Sequence, residues 1–330
     1  MVTLPQQVFF NHIKSKLPDH LSLVEEIAEL LNISNDSAYR RIRGEKPIGF
    51  DEIQQLCKHY KISLDQLLQI DNETTIFSGK LVDHNNFNLQ QYLEEVLKNL
   101  TLFGSISGHH MYFMNKDIPM FHYMQFQELA AFKFFFWKRT LIHYPDLVKK
   151  QFHPESLDEN LMKTGLQIIK AYNKVNSTEI WNEESIHVTI RQIEYYRQAN
   201  VFPDKITLVK VYDQLEELIN HIESQADAGV KYLVNEKPGP YSAPNEIYIN
   251  ECLLGDNSVH VDSKDFKITL INHDGLNFMA TRDERFCKYA FNNLQNILKK
   301  STLISKVGEK DRSIFFNSLR EKINHKKKTI

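Results

Sequence analysis

The chain is 330 residues long, 42% hydrophobic and 25% charged, and its 40 basic residues nearly balance 42 acidic ones for a formal net charge of -2. That length holds one small domain followed by one large domain or two medium ones, and the composition is that of a globular, soluble protein. A helical membrane protein is excluded, because no window reaches the ~20 uninterrupted apolar residues that a span requires.

The most apolar run, Leu129 to Trp137, is broken by Lys133 and closed by Lys138-Arg139, as in a buried helix. Met1 to Phe10 lacks the basic start and apolar stretch of a signal peptide. Cys57, Cys252 and Cys287 are odd in number and far apart, which removes a disulfide framework and a CxxC metal knuckle and points to a reducing, cytoplasmic setting.

In chain order, Val8, Phe9, His12, Ile13 and Leu17 form the apolar stripe of a first helix. Leu23, Ile27, Leu30 and Leu31 repeat the pattern, with Glu25, Glu26 and Glu29 on the wet side and Ala28 where a partner helix must pass close. Asn32 stands where the turn needs a left-handed backbone, Ile33 plugs the corner, and Ser34 has the side chain of an N-cap. A second helix then starts at about Asn35, with Asp36 at the positive end of its dipole. Ala38 and Ile42 face inward. Asn35, Asp36, Ser37, Tyr39, Arg40 and Arg43 are left outward, Gly44 ends the helix and Pro47 prevents its resumption.

A protruding helix with this outer face is built to read DNA. In the major groove Arg pairs bidentately with guanine and Asn with adenine, while Arg41, Arg43 and Lys46 are placed to hold phosphates and fix the register. Phe50, Ile53, Leu56, Cys57 and Tyr60 give a further helix, and Ser63 caps a last short one, Leu64 to Leu68. Residues 1 to 75 nevertheless carry eight Lys or Arg against eleven Asp or Glu. Positive charge is concentrated from Arg40 to Lys46, so weak non-specific affinity and reliance on dimerisation are expected.

With these features in place the chain resembles the Cro/repressor-type (XRE) helix-turn-helix family over roughly residues 6 to 70. The resemblance rests on Ala28, on Ile33-Ser34 at the turn, on Arg40 and Gly44, and on the run from Gly49-Phe50-Asp51-Glu52-Ile53 to Leu67-Leu68. It implies a five-helix lambda-repressor-like bundle that binds double-stranded DNA as a homodimer on a palindromic operator. Three departures stand out: Asn32 in place of the usual turn glycine, Leu23 and Val24 in place of a phosphate-contacting glutamine, and Arg41 at a position often apolar. Which of Tyr39, Arg40 and Arg43 touches bases is left open by the last of these.

The domain expectation is a DNA-binding domain over residues 1–72, a linker over 73–86, and an α+β dimerisation or sensor domain over 87–330. Its helical part covers 87–234, and its sheet and terminal helices cover 245–323. Helices are predicted from Phe87, over Pro119 to Tyr144, Leu157 to Val175, Glu183 to Gln198 and Leu208 to Ala228, with a strand at His110 to Met114. After the loop at Asn235 to Pro244, four strands follow at Glu246 to Cys252, Ser258 to Val261, Phe266 to Ile271 and Leu276 to Ala280, punctuated by Asp256-Asn257 and Asp274-Gly275. They read as a small antiparallel meander. Helices at Asp283 to Lys300 and Glu309 to Ile323 close the chain, with Lys326 to Lys328 as a disordered basic tail. The predicted class is mainly α with an α+β carboxy-terminal domain.

The second domain carries no GxSxG, HExxH, GxxxxGK or GxGxxG motif. His109, His110 and His122 lack metal-ligand spacing and read as ordinary half-buried histidines. No enzyme, cofactor or metal site is therefore expected, and a small-molecule or protein effector is the expected input. Two rivals keep to the same residues. One is a helical module that docks other proteins without DNA, and the other is an enzyme with its cleft around Asp256, His260, His273 and Asp283.

Overall fold

The computed structural model describes residues 4–18, 20–68, 74–79, 87–114, 116–156, 158–251 and 257–330. The protein is mainly α-helical with an α+β part, and it divides into two compact units, Met1–Ile76 and Phe77–Ile330.

The first unit contains α1 (Pro5–Lys14), α2 (Leu23–Leu31), α3 (Asn35–Arg43), α4 (Phe50–Tyr60) and α5 (Leu64–Leu68). Pro5 sits in the first turn of α1, where its missing N–H costs nothing. Phe9, Phe10 and Ile13 from α1 meet Ile27 and Ala28 from α2, Ala38 from α3 and Leu56 from α4 in one buried cluster. Each large side chain there contributes roughly 1.5–3 kcal/mol of apolar burial. Ala38 is fully enclosed, so α3 lies close against the cluster and presents its opposite face outward.

The second unit is a sheet between helical layers. It runs α6 (Leu89–Ser105), β1 (His110–Met114), α7 (Met120–Tyr123), α8 (Gln127–Phe136), α9 (Glu159–Tyr172), β2 (Ser177–Trp181), α10 (His187–Gln198), α11 (Lys205–Ala228) and β3 (Asn245–Ile249). Then come β4 (Ser258–Asp262), β5 (Lys267–Asp274), β6 (Asn277–Thr281), α12 (Glu284–Leu298), β7 (Thr302–Leu303) and α13 (Glu309–Lys327). The strand order is β6-β5-β4-β1-β2-β3-β7. β1, β2 and β3 are parallel, each joined to the next by a helical crossover, whereas β4 lies antiparallel on β1 and leads into the β4-β5-β6 meander. Met111 and Phe113 face the large helical layer, while Met114 and Ile180 face Phe291 and Leu294 of α12.

The small antiparallel sheet expected from the sequence is thus a seven-stranded mixed one. The stretch expected to open the meander is β3, which pairs in parallel with β2 on the far side of β1; Cys252, its expected last residue, lies outside the described residues. β2 has no counterpart in the sequence reading. All five of its residues are buried, and three of them, Ser177, Thr178 and Glu179, are polar, so neither alternation nor an apolar run marks it.

The interior satisfies those polar groups. Glu179 accepts from Tyr172 Oη at 2.6 Å and Trp181 Nε1 at 2.8 Å, and Nε2 of His122 lies 3.1 Å from its Oε1. Despite complete burial these partners hold its carboxyl down at about 2. Lys231, also fully buried, donates to Val175 O and to Ser177 Oγ and lies 4.1 Å over the Tyr172 ring. Loss of water pushes its ammonium down to about 7.

Two further expectations are corrected. The long helix at Pro119 to Tyr144 is α7, then α8, then a π-turn at Trp137–Leu141; the break at extended Phe126 follows the burial of Met124 and Phe126 and is marked by no glycine or proline. The basic tail is the last turn of α13, where Lys327 pairs with Asp213 at 2.6 Å and Glu216 at 3.0 Å. Within the segment expected as a linker, Ser78 bridges Ala280 by two 2.8 Å backbone bonds and Phe77 sets its ring on Phe286. The rest of that segment, 73 and 80–86, lies outside the described residues. Among the described residues no helix is long and apolar enough to cross a membrane.

Candidate nucleic-acid interface

The backbone turns that aim α3 are those the sequence marks. Asn32 adopts φ 54° and ψ 49°, closing α2 with Ile33 N–H donating to Ala28 O at 3.0 Å. Ser34 is extended and its Oγ accepts the Ser37 amide at 3.3 Å, so α3 starts with a satisfied cap and Asp36 in its first turn. At the other end Gly44, φ 81°, lets Glu45 N–H return to Arg40 O at 2.8 Å.

A clamp missed by sequence reasoning holds the end of this helix. Gln6 Nε2 donates to Arg41 O and to Lys46 O, both at 2.7 Å, and its Oε1 accepts Ile48 N–H at 3.2 Å. Gln7 Nε2 donates to Arg43 O at 3.1 Å. Carbonyls that a helix C-terminus leaves open are thereby satisfied by α1. Two adjacent glutamines on a helix carry no spacing signal that would have revealed the contact.

Of the residues picked from the sequence, Ser34, Asn35, Asp36, Tyr39, Arg40, Arg43 and Lys46 are exposed and Ser37 is half-buried. Arg43 lies over the Tyr39 ring at 5.5 Å, donates to its Oη at 3.2 Å and stands 3.4 Å from Glu45. Arg40 has no ion-pair partner among the described residues.

Arg41 is the correction. Expected as a phosphate contact, it is 7% exposed and turned inward. Its Nε and Nη2 donate to Glu52 Oε2 and Oε1 at 3.0 and 2.7 Å, and Nη1 donates to Ser37 O at 3.1 Å and Ser37 Oγ at 2.7 Å. This fork-to-fork pair ties α3 to α4. Glu52 also accepts the Gly49 amide at 3.0 Å, and the Arg41 bonds, countered by desolvation and helped by Gly49, hold its carboxyl below the usual value. The guanidinium is buried because a carboxylate three residues into α4 meets it. Of the cations picked from the sequence, the exposed ones are therefore Arg40 and Arg43 on α3 and Lys46 in the segment after it.

A family model for the BetR domain matches residues 20–85, which takes in α2 to α5. No curated protein and no solved structure matches the chain.

The polar residues singled out in the second unit do not converge. His109 Nε2 accepts the Asn176 amide at 3.3 Å, His110 Nε2 lies 2.8 Å from Thr178 Oγ1, and His122 belongs to Glu179. His260 is buried between Ser258 Oγ at 3.1 Å and Thr269 Oγ1 at 3.2 Å, and burial lowers it to about 4. Asp283 caps α12 by accepting the Phe286 amide at 2.7 Å, and His273 is exposed. Asp256 lies outside the described residues.

Proposed function

We propose that the protein is a cytoplasmic, sequence-specific DNA-binding transcriptional regulator in which α3 reads the major groove. The five helices of the first unit are read as a lambda-repressor-like bundle. The observation that carries the proposal is the division of α3 into two faces. Ala38 and Arg41 anchor one, while Asn35, Tyr39, Arg40 and Arg43 stand exposed on the other, with an amide-rich N-terminus at Ser34 that favours a phosphate. A homodimer would set two such helices about 34 Å apart on a palindromic operator, and an effector of the second unit would act by changing that separation.

Selection of the full chain against random DNA duplexes tests the reading. A recurring palindromic motif is the expected result, and recovery of no motif refutes it. A protein-docking role for the first unit is the second reading, favoured by its eleven acidic against eight basic residues and by Phe50, which is 88% exposed. Genome-wide immunoprecipitation without a recurring motif would favour that alternative.

A further inference from the structure

In the second unit α12 packs one face on the sheet and turns the other to water. Cys287, Phe291 and Leu294 form its buried side, with the Phe291 ring 6.0 Å from Tyr112 and 5.4 Å from His260. The outer side follows the complementary helical spacing. Lys288, Asn292, Asn293, Asn296, Lys299 and Lys300 are all exposed there, and Tyr289, 69% exposed, is the large apolar side chain among them.

Charge on this face has one sign. From Arg285 to Lys300 the helix and the turn that follows it carry no Asp or Glu, and the three asparagines separate Lys288 from the lysine pair at the other end. Lys288, Lys299 and Lys300 have no ion-pair partner among the described residues. The neighbouring acids leave them so. Asp283 caps the helix through the Phe286 amide, and Asp262, on the strands beneath, is engaged by Lys267. Neither Glu284, one turn before Lys288, nor Glu251, next to the Asn250 that bonds Ser301, pairs with these lysines.

The spacing sets what fits. Lys288 and Lys299 are eleven residues apart, which at ~1.5 Å per residue separates them by roughly 16 Å along the helix. A DNA major groove is about 12 Å wide between its phosphate rails, so one cation reaches each rail while the asparagines lie over the groove. The apolar core of a protein interface, or a bilayer, asks for more apolar surface than one tyrosine offers.

We infer that the outer face of α12 holds the phosphate backbone of duplex DNA, with Lys288 on one strand and Lys299 and Lys300 on the other. Such a contact positions the duplex irrespective of its sequence. It stands on the second unit alone and does not depend on the reading of α3.

The test removes the first unit's cations. A full-length chain carrying Arg40→Ala, Arg43→Ala and Lys46→Ala is titrated by fluorescence anisotropy with a short duplex of arbitrary sequence at several salt concentrations. Duplex binding is expected to persist, and adding Lys288→Gln, Lys299→Gln and Lys300→Gln should flatten the salt slope by about 2–3 units, since each neutralised phosphate contributes about 0.9. A control with Lys98→Gln, Lys163→Gln and Lys170→Gln, exposed lysines of α6 and α9, makes the same change of net charge and should keep the slope. Near-ultraviolet circular dichroism of Trp137 and Trp181 checks that the second unit stays folded. An unchanged slope in the α12 variant, an equal drop in the control, or no duplex binding by the chain without the first unit's cations overturns the inference. Displacement by poly-L-glutamate as effective as by unlabelled duplex at equal charge also overturns it, by making the face a site for acidic protein. The reading of α3 is judged separately, from whether the three first-unit substitutions alter binding to a selected operator.

Discussion

Replacing Arg41 by alanine separates two physical roles for one side chain. In the structure it makes four donor contacts at 2.7 to 3.1 Å, two to Glu52 and two to Ser37, at 8% side-chain exposure. Hydrogen bonds to charged groups are worth about 1.5–3 kcal/mol each, and breaking a buried pair costs ~3–5 kcal/mol. Glu52, however, keeps 23% of its side chain in water and retains the Gly49 amide, so the orphaned carboxylate rehydrates. The expected loss is therefore about 2–3 kcal/mol, with a coupling of about 1–2 kcal/mol in the cycle with Glu52→Gln. Both tryptophans, Trp137 and Trp181, belong to the second unit, so fluorescence does not see this event. Hydrogen–deuterium exchange of the α3 and α4 amides does. Glu52 has a lower pKa folded than its usual 4.5, so its stabilisation is complete above that value and is lost as pH falls through the folded one. The gap between wild type and Arg41→Ala should accordingly narrow in acid. If Arg41→Ala changes the α3 opening free energy by less than about 0.5 kcal/mol and instead weakens all DNA sequences equally, Arg41 is a phosphate contact and the buried-pair argument fails.

Arg40→Ala should cost roughly 1–3 kcal/mol of operator binding and relax base preference, and Lys46→Ala should weaken all sequences alike and flatten the salt slope by about one unit, both read by anisotropy titrations at several salt concentrations. If neither variant alters binding to a selected operator, α3 is not the reading helix. Gln6→Ala removes three hydrogen bonds, one to the last turn of α3 and two to the segment after it, and should speed exchange at residues 44–48 about fivefold, as loss of about 1 kcal/mol requires; unchanged exchange would dismiss the clamp. Lys231 has its pKa lowered to about 7 in the fold, so between there and its usual 10.5 the unfolded chain binds more protons and stability rises with pH. Tryptophan-detected unfolding should show a slope approaching about 1.4 kcal/mol per pH unit in that window, absent in Lys231→Met. An identical slope in the variant would assign it to another group.

Local chemistry was legible wherever a residue's role depends on its immediate neighbours. Asn32 at a left-handed turn, Ser34 as a cap and Gly44 as a stop each act within a few residues along the chain, and each is where its side chain pointed. Arg41 was misread because its partner is on the next helix: helical spacing assigns a guanidinium to water unless something eleven residues away calls it in. The Gln6 clamp spans 35 to 42 residues and has no local sign at all.

The second unit sharpens the same distinction. By itself the sequence determined the helices with apolar stripes, such as α6 and α11, and the β4-β5-β6 meander, because a 3.6-residue or two-residue period is a property of one segment facing one environment. Tertiary structure alone decided that β2 is a strand, that β3 leaves the meander to pair with it in parallel, and that Glu179 and Lys231 lie in the interior. A strand buried on both faces has no wet side to impose alternation, and a buried charge is stable only once Tyr172, Trp181, His122 and Ser177 have been brought around it by the fold.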